Sequence, residues 1–278
     1  MKVALVTGAT RGIGKVIAIT LARRGFAVVV TGRTLRKGQG DLGVRGASEP
    51  VPGSIEETVA AIEAEGGVAL GVALDLLSRE SIDAAIAQTV GKFGRLDVLV
   101  NNAIYQGAAM MEPFATFRMD DAEDNFRGTV INQMYISRRA MEVMIPGGGG
   151  RMIFVTSASS AMAATGHWGL LYGAAKAAFN KIPEFIQLEH SKDGILAFLI
   201  EPQFTLTDTM RARWVDPVKT VGAGTHAHDP IETANTTAWL ATHHDAARFA
   251  GGKMINAPDF FLDNAIDPLM SLERPQNK

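Results

Sequence analysis

Short apolar runs alternate with amphipathic stretches along almost the whole chain. VALVT (3–7) reads as a strand, and Ile13, Val16, Ile17 and Leu21 then share one helical face until Gly25 stops the helix. AVVVT (27–31) is a second strand. Ser54 followed by Glu57 has the capping-box spacing that opens a helix, and Gly66 and Gly67 close it. VALGVALD (68–75) is a third strand and residues 81–90 a helix. LDVLVNNA (96–103) is a strand without polar alternation, which implies burial on both faces. A long helical pattern runs from about Asp120 to Met144 and ends at a run of glycines. RMIFVTS (151–157), a helix from Tyr172 to His190, ILAFLIEP (195–202), a helix near 231–241 and GGKMINA (251–257) complete the series. Repeated β-α units of this length require parallel strands with helices on both faces. The prediction is a single doubly wound α/β domain over residues 1–278, without internal repeat or linker. Two segments break the pattern: a Gly/Pro-rich loop over 35–53, and a ragged stretch at about 203–230 that includes Trp214.

Composition narrows the classes of function. The chain has 278 residues, 47% hydrophobic, with a formal net charge of −2 and no Lys/Arg cluster, so nothing marks a nucleic-acid surface. It has no cysteine, which excludes thiolate catalysis, disulfides and Cys-zinc sites and is compatible with a reducing cytoplasm. No apolar run reaches the ~18 residues of a membrane helix, and MKVALVTGAT reads as a first strand rather than a signal peptide.

The first turn after a strand reads TGATRGIGK. Gly8, Gly12, Ile13 and Gly14 lie between a strand and an amphipathic helix, where glycines permit a tight turn and free N–H groups can face a pyrophosphate. GQGDLG (38–43) matches the same glycine spacing but lacks the flanking strand and helix. The second strand of an NAD-binding unit usually ends in an acid that holds the ribose 2′-hydroxyl. Here Gly32 stands at that place with Arg33 beside it and Arg11 in the phosphate turn, which favours the 2′-phosphate of NADP(H).

Tyr172 and Lys176 in LLYGAAK stand one helical turn apart, so phenol and ammonium share a face. With TGATRGIG at the start, NNA after the fourth strand and Ser157 closing the fifth, the chain resembles the short-chain dehydrogenase/reductase family from about Lys2 to Thr209. The resemblance implies a Rossmann domain that transfers hydride between NADP(H) and a carbonyl or secondary alcohol. In that family Tyr172 would be the general acid/base and Lys176 would lower its pKa and hold the nicotinamide ribose. Ser157 would bind the substrate oxygen, with Ser159 the alternative. Asp75 and Leu76 would lie at the adenine, Asn101 and Ala103 beneath the adenosine, and Pro202 and Thr207 at the nicotinamide carboxamide. Homodimers or homotetramers are common in the family.

Three positions depart from the family pattern. NNAG reads NNAI, placing Ile104 where a glycine is usual; Pro-Gly reads Pro202-Gln203; and the helix asparagine falls on Thr129. Asn125, Thr129 and Asn132 lie near one helical face, and Asn132 is expected to take over the catalytic bracing while the Thr129 side chain is dispensable. Met110, Met111, Phe114, Phe117, Phe204, Met210 and Trp214, with His167 and Trp168, suggest an apolar substrate pocket in the long loops. His226, His228, His243 and His244 lack compact ligand spacing, and no metal is expected. The alternatives to a reductase are a non-catalytic NADPH-binding regulator and an enzyme that uses the cofactor only transiently, such as an epimerase or dehydratase.

Overall fold

The computed structural model describes residues 1–40, 51–107, 109–110, 112–161, 169–213, 226–264 and 266. Strands β1 (Val3–Val6), β2 (Ala27–Gly32), β3 (Val68–Ala73), β4 (Val98–Asn101), β5 (Gly150–Val155), β6 (Ile195–Glu201) and β7 (Met254–Asn256) form one sheet. Their order is β3-β2-β1-β4-β5-β6-β7, and every pairing is parallel, for example Val3 with Ala27, Ala4 with Val98 and Leu199 with Met254. The order reverses between β1 and β4, so a crevice opens at the carboxyl ends of those two strands.

The helices are α1 (Gly12–Arg23), α2 (Ile55–Ala64), α3 (Arg79–Phe93), α4 (Met119–Phe126), α5 (Asn132–Met144), α6 (Leu170–Phe179), α7 (Lys181–His190), α8 (Asp208–Arg213), α9 (Pro230–Thr242) and α10 (Ala257–Asp263). The two-residue period of the strands divides their side chains between two cores. Val6, Val28, Val100, Ile153 and Phe198 pack under α1 and α9. Leu5, Val29, Leu99, Phe154 and Leu199 pack under α3, α5 and α7. The central strands β1, β2 and β4 are buried along their whole length, as LDVLVNNA predicts. Complete burial of each Leu, Ile or Phe contributes roughly 1.5–3 kcal/mol, which fixes strand register because a one-residue slip would exchange the two cores.

Local sequence sets the boundaries. The Ser54 hydroxyl accepts from the Glu57 N–H at 3.1 Å and donates to its carboxylate at 3.0 Å, so Ser54 is the expected N-cap and Glu57 bonds to its hydroxyl. Ser78 caps α3 in the same manner through the Ser81 N–H. Two long helical readings are each interrupted. Between α4 and α5, residues Arg127–Ile131 widen into a π-helical turn, and α6 breaks from α7 at Asn180. The Asn180 side chain is spent on Ser160, at 2.8 Å, and on Thr156, which ties this break to the end of β5.

Candidate active site

The phosphate turn is built by close approach. Gly8 and Gly12 have φ of +65° and +52°, values that suit glycine alone. A Cβ on Gly14 would lie 2.3 Å from the Gly8 carbonyl oxygen and 2.4 Å from Asn102 Nδ2, so only glycine fits there. Thr7 fastens the turn to the neighbouring strand: its hydroxyl donates to the Val100 carbonyl and accepts from the Asn102 and Ala103 N–H groups, each at 3.0 Å. Asn102 donates in turn to the Thr7 and Gly8 carbonyls. The side chain in this role is therefore Asn102, not Asn101. Asn101 is fully buried and donates to Ser137 on α5 at 3.1 Å, away from the turn. The signal was available in the sequence, because side chains alternate along a strand and only one of two adjacent asparagines can face the cleft.

Unlike α2 and α3, helix α1 has no side-chain cap at its first residue, so its first-turn N–H groups are open to an anion. Arg11 stands over this end. It donates to Thr34 at 2.8 Å, while its Nε is buried without a partner among the described residues. Burial and the nearby Arg33 push its pKa down. Gly32 cannot carry the acid of an NAD-type strand end, because its Cβ would sit 2.6 Å from the Thr10 methyl. These features fit a nicotinamide dinucleotide: an uncapped helix start, a glycine cradle and an orphaned guanidinium N–H. Of the loop expected over 35–53, residues 41–50 lie outside the described residues. Its ends close on each other through Val51 N–H to Gly40 O at 2.9 Å, and Gly53 packs against the Thr10 carbonyl beside Arg11.

After β3, Asp75 accepts from the Leu77 N–H at 2.9 Å, and Leu76 is buried. Asn132 packs against this segment. Its amide donates to the Leu76 carbonyl at 2.6 Å, and its oxygen accepts from Arg79 at 3.3 Å. The expectation that Asn132 joins Tyr172 and Lys176 is therefore corrected. The π turn adds one residue to the helix, which rotates Asn132 toward the β3–α3 loop. Thr129 lies inside that turn, buried, and its hydroxyl accepts from the Tyr105 N–H at 3.2 Å. Gln133, which sequence reasoning passed over, donates to the Ala103 carbonyl at 2.8 Å.

The second cluster gathers at the ends of β5 and β6. Ser157 follows β5 and opens a 3₁₀ turn, Ala158–Ser160; its hydroxyl accepts from the Ser159 N–H at 3.3 Å and the Ser159 hydroxyl at 3.1 Å. Of the two serines, it is the Ser157 hydroxyl that acts on the Tyr172 phenol. Burial pushes the Tyr172 phenol up, the Ser157 hydrogen bond pulls it down and the Glu201 carboxylate pushes it up, with a net upward displacement. Lys176, one turn later on α6, is 2% exposed and donates to the Val155 carbonyl at 2.6 Å. Burial brings its pKa down from 10.5 to about 7. The ammonium is thus committed to β5, and the expected lowering of the phenol by Lys176 is not what sets Tyr172 here.

The chain belongs to the short-chain dehydrogenase/reductase family. The sequence pattern of short chain dehydrogenases matches residues 2–41 and 46–217. A hydroxynaphthalene reductase of Aspergillus fumigatus is 31% identical over 210 residues, 76% of this chain and 68% of the relative. A 3-oxoacyl-[acyl-carrier-protein] reductase of Synechocystis is 29% identical over 250 residues, covering 90% and 93%. Among solved structures, a 7α-hydroxysteroid dehydrogenase complexed with NADH and 7-oxo glycochenodeoxycholic acid superposes with a TM-score of 0.74 at 25% identity, covering 92% of each chain. This family of oxidoreductases uses nicotinamide cofactors, in keeping with the cradle described above.

The two halves of the site meet through the turn after β6. Pro202 is buried, and the Thr207 methyl lies where a Gly12 Cβ would come within 3.3 Å of it. Leu171, just before Tyr172, packs with Ala109, Ala122 and Phe117, which brings the 104–119 loop to α6. Phe117 meets Phe114 edge-on at 5.8 Å, and Phe114 is 77% exposed. Met110, Phe204 and Met210 are half-buried; Met111, His167, Trp168 and Trp214 lie outside the described residues. Among the described residues, His243, His244 and Asp245 form a group of metal-type ligand atoms within 4.8 Å of one another. His243 Nδ1 there accepts the Asp245 N–H at 3.2 Å, and the imidazole stacks on Trp239, so it serves the turn after α9. No helix among the described residues is long and apolar enough to cross a membrane.

Proposed function

We propose that this protein is an NADP(H)-dependent oxidoreductase acting on a carbonyl or secondary alcohol of a small, partly apolar substrate. The observation that carries the reading is Tyr172 one helical turn before buried Lys176, with Ser157 at the end of β5, in a chain that also holds the glycine cradle after β1. Gly8, Gly12, Ile13 and Gly14 would hold the pyrophosphate, Asp75 and Leu76 the adenine, and Lys176 with Pro202 and Thr207 the nicotinamide end. The bound nicotinamide would supply or receive the hydride. The chain must then manage a proton and a developing negative charge at the substrate oxygen. Ser157 would donate to that oxygen, and Tyr172 would deliver the proton. A phenol displaced upward stays protonated at neutral pH, which suits carbonyl reduction. Lys176, brought near neutrality by burial, would exchange a proton with the site.

The NADP preference rests on Arg11 and Arg33. Two guanidiniums stand close enough to depress Arg11, and among the described residues neither is paired with a carboxylate. A 2′-phosphate would relieve that repulsion, and the filled space at Gly32 leaves no place for a ribose-binding acid. Phe114, Phe117, Phe204 and Met210 support an apolar substrate. Exposed Ile131 in the π turn and Met134 on α5, with Phe185 and Leu188 on α7, support a homodimer or homotetramer.

The test is a panel of ketones and aldehydes followed by NADPH absorbance, with NADH in parallel. Turnover with NADPH that falls by about 100-fold or more in Tyr172→Phe, with NADPH binding retained, is the expected result. NADPH binding without turnover anywhere in the panel would favour the non-catalytic regulator instead.

A further inference from the structure

Glu201 is a buried acid that the reaction sketched above does not use. It ends β6 at 2% exposure. One carboxylate oxygen accepts from the Ala158 N–H at 3.1 Å and the Gln203 N–H at 2.9 Å; the other accepts from the Gln203 side-chain amide. Ala158 follows Ser157, the hydroxyl that pulls the Tyr172 phenol down. Gln203 is the non-glycine residue with positive φ among the described residues, at +56°. It stands where the family pattern places glycine, and a side chain in that conformation costs about 1–2 kcal/mol. Both Gln203 donors are taken by Glu201, so one carboxylate holds the strained turn and the serine turn together.

We propose that Glu201 is a positioning residue: its carboxylate clasps the Ser157 turn to the Pro202–Thr207 turn and thereby orients Ser157 toward Tyr172. The role depends on the oxidoreductase reading of the site. The geometry gives the clasp a reason to be charged, since three donors converge on it and charge-assisted bonds are the stronger kind. The titratable groups facing it are Tyr172 on α6 and His228 ahead of α9, the latter itself bonded to Glu232 at 2.7 Å. Burial pushes the Glu201 carboxyl up, against those hydrogen bonds and His228. While ionised it pushes the Tyr172 phenol up, toward the protonated form that carbonyl reduction needs.

Two variants separate the clasp from the charge. Glu201→Gln removes the charge and presents an amide to donors; Glu201→Asp keeps the charge but is a methylene too short to reach both turns. Both should lower kcat for NADPH-driven reduction by about tenfold or more, while the Kd for NADPH moves less than about threefold. Only Glu201→Gln should shift the Tyr172 titration downward. That shift is read as phenolate absorbance of the nucleotide-free protein, minus the same trace for a Tyr172→Phe background. Adding Gln203→Gly to Glu201→Gln should restore part of kcat, because glycine needs no clasp, and leave the titration shifted. If wild type reduces a carbonyl and both Glu201 variants keep kcat within about twofold, the proposal is overturned while the oxidoreductase reading stands. An unshifted phenolate titration in Glu201→Gln overturns the electrostatic half. Should Glu201→Gln fail to fold, Glu201→Asp decides the clasp by its kcat alone. Absence of turnover in wild type is a failure of the oxidoreductase reading, and the nucleotide-free titration still tests the charge.

Discussion

A buried lysine with no carboxylate partner among the described residues makes a measurable demand on stability. Lys176 donates to the Val155 carbonyl and lies over the Phe179 ring, and burial brings its pKa from 10.5 to about 7. For a cation depressed in the fold, the unfolded chain binds the proton more tightly between those two values. Stability therefore rises as pH climbs from 7 toward 10.5 and is flat beyond. The gap corresponds to a cost of about 4 kcal/mol at pH 7 and about 2 kcal/mol at pH 9. Lys176→Met keeps the length of the side chain and removes the titration. It also leaves the Val155 carbonyl without this donor, at about 1 kcal/mol, but that loss does not vary with pH. Urea denaturation of nucleotide-free wild type and variant at pH 7 and pH 9 gives the double difference. Wild type should gain about 2 kcal/mol on the variant over that interval, since every other titrating group cancels. Curves that run parallel within about 0.5 kcal/mol would show that Lys176 is charged and solvated in the fold, and its role as a near-neutral proton carrier would go with it.

Arg33→Ala should weaken NADPH by about tenfold or more and leave NADH nearly unchanged, measured as Kd for each; equal losses would remove the main support for NADP. Gly14→Ala should destabilise the fold by about 1–3 kcal/mol and abolish nucleotide binding, because its Cβ meets fixed backbone at 2.3 Å. Gly91→Ala, in α3 with nothing within 4 Å, should instead stabilise by up to ~1 kcal/mol in the same denaturation assay. Asn132→Ala should raise the KM for NADPH with kcat nearly preserved, since its side chain serves Leu76 and Arg79. Thr129→Ala should lower kcat several-fold by releasing Tyr105, with Thr129→Ser restoring it; the reverse ranking in steady-state kinetics would return Asn132 to the catalytic cluster.

What the sequence announces here is what a period or a backbone demand can carry. The strands were legible because buried parallel strands leave no polar alternation, and α2 because Ser54 and Glu57 write its cap in two letters. Gly8, Gly12 and Gly14 were legible because glycine meets their positive φ or close backbone approach without strain. Three things were not. The π turn at Arg127–Ile131 leaves the apolar pattern of α4 and α5 almost intact, yet its extra residue decides which side chain faces which loop. That is why Asn132 was assigned to the wrong end. Asn101 and Asn102 are identical letters whose roles are separated by strand alternation alone. Glu201, last of a strand that otherwise reads as core, gave no periodic signal, and one of its partners, Ala158, lies 43 residues earlier.

The departures from the family pattern acquire a common explanation once neighbours are considered. Gln203 takes the left-handed backbone that glycine would take freely, and Glu201 supplies two hydrogen bonds that a glycine would not need. Thr129 has no carboxamide, and its hydroxyl receives the N–H of Tyr105, the residue after Ile104. The Tyr105 side chain then fills the space over Gly128 and Gly107, where an added Cβ would come within 2.7 Å of its Cβ and 2.4 Å of its ring, respectively. The substitutions at 104 and 129 therefore meet at one loop, and the one at 203 meets the buried acid two residues before it. Each missing family residue is matched by a local contact that holds the same stretch of backbone. A chain drifting away from catalysis would be expected to lose these supports rather than replace them. The compensation argues for a working site whose backbone is held by a different set of side chains.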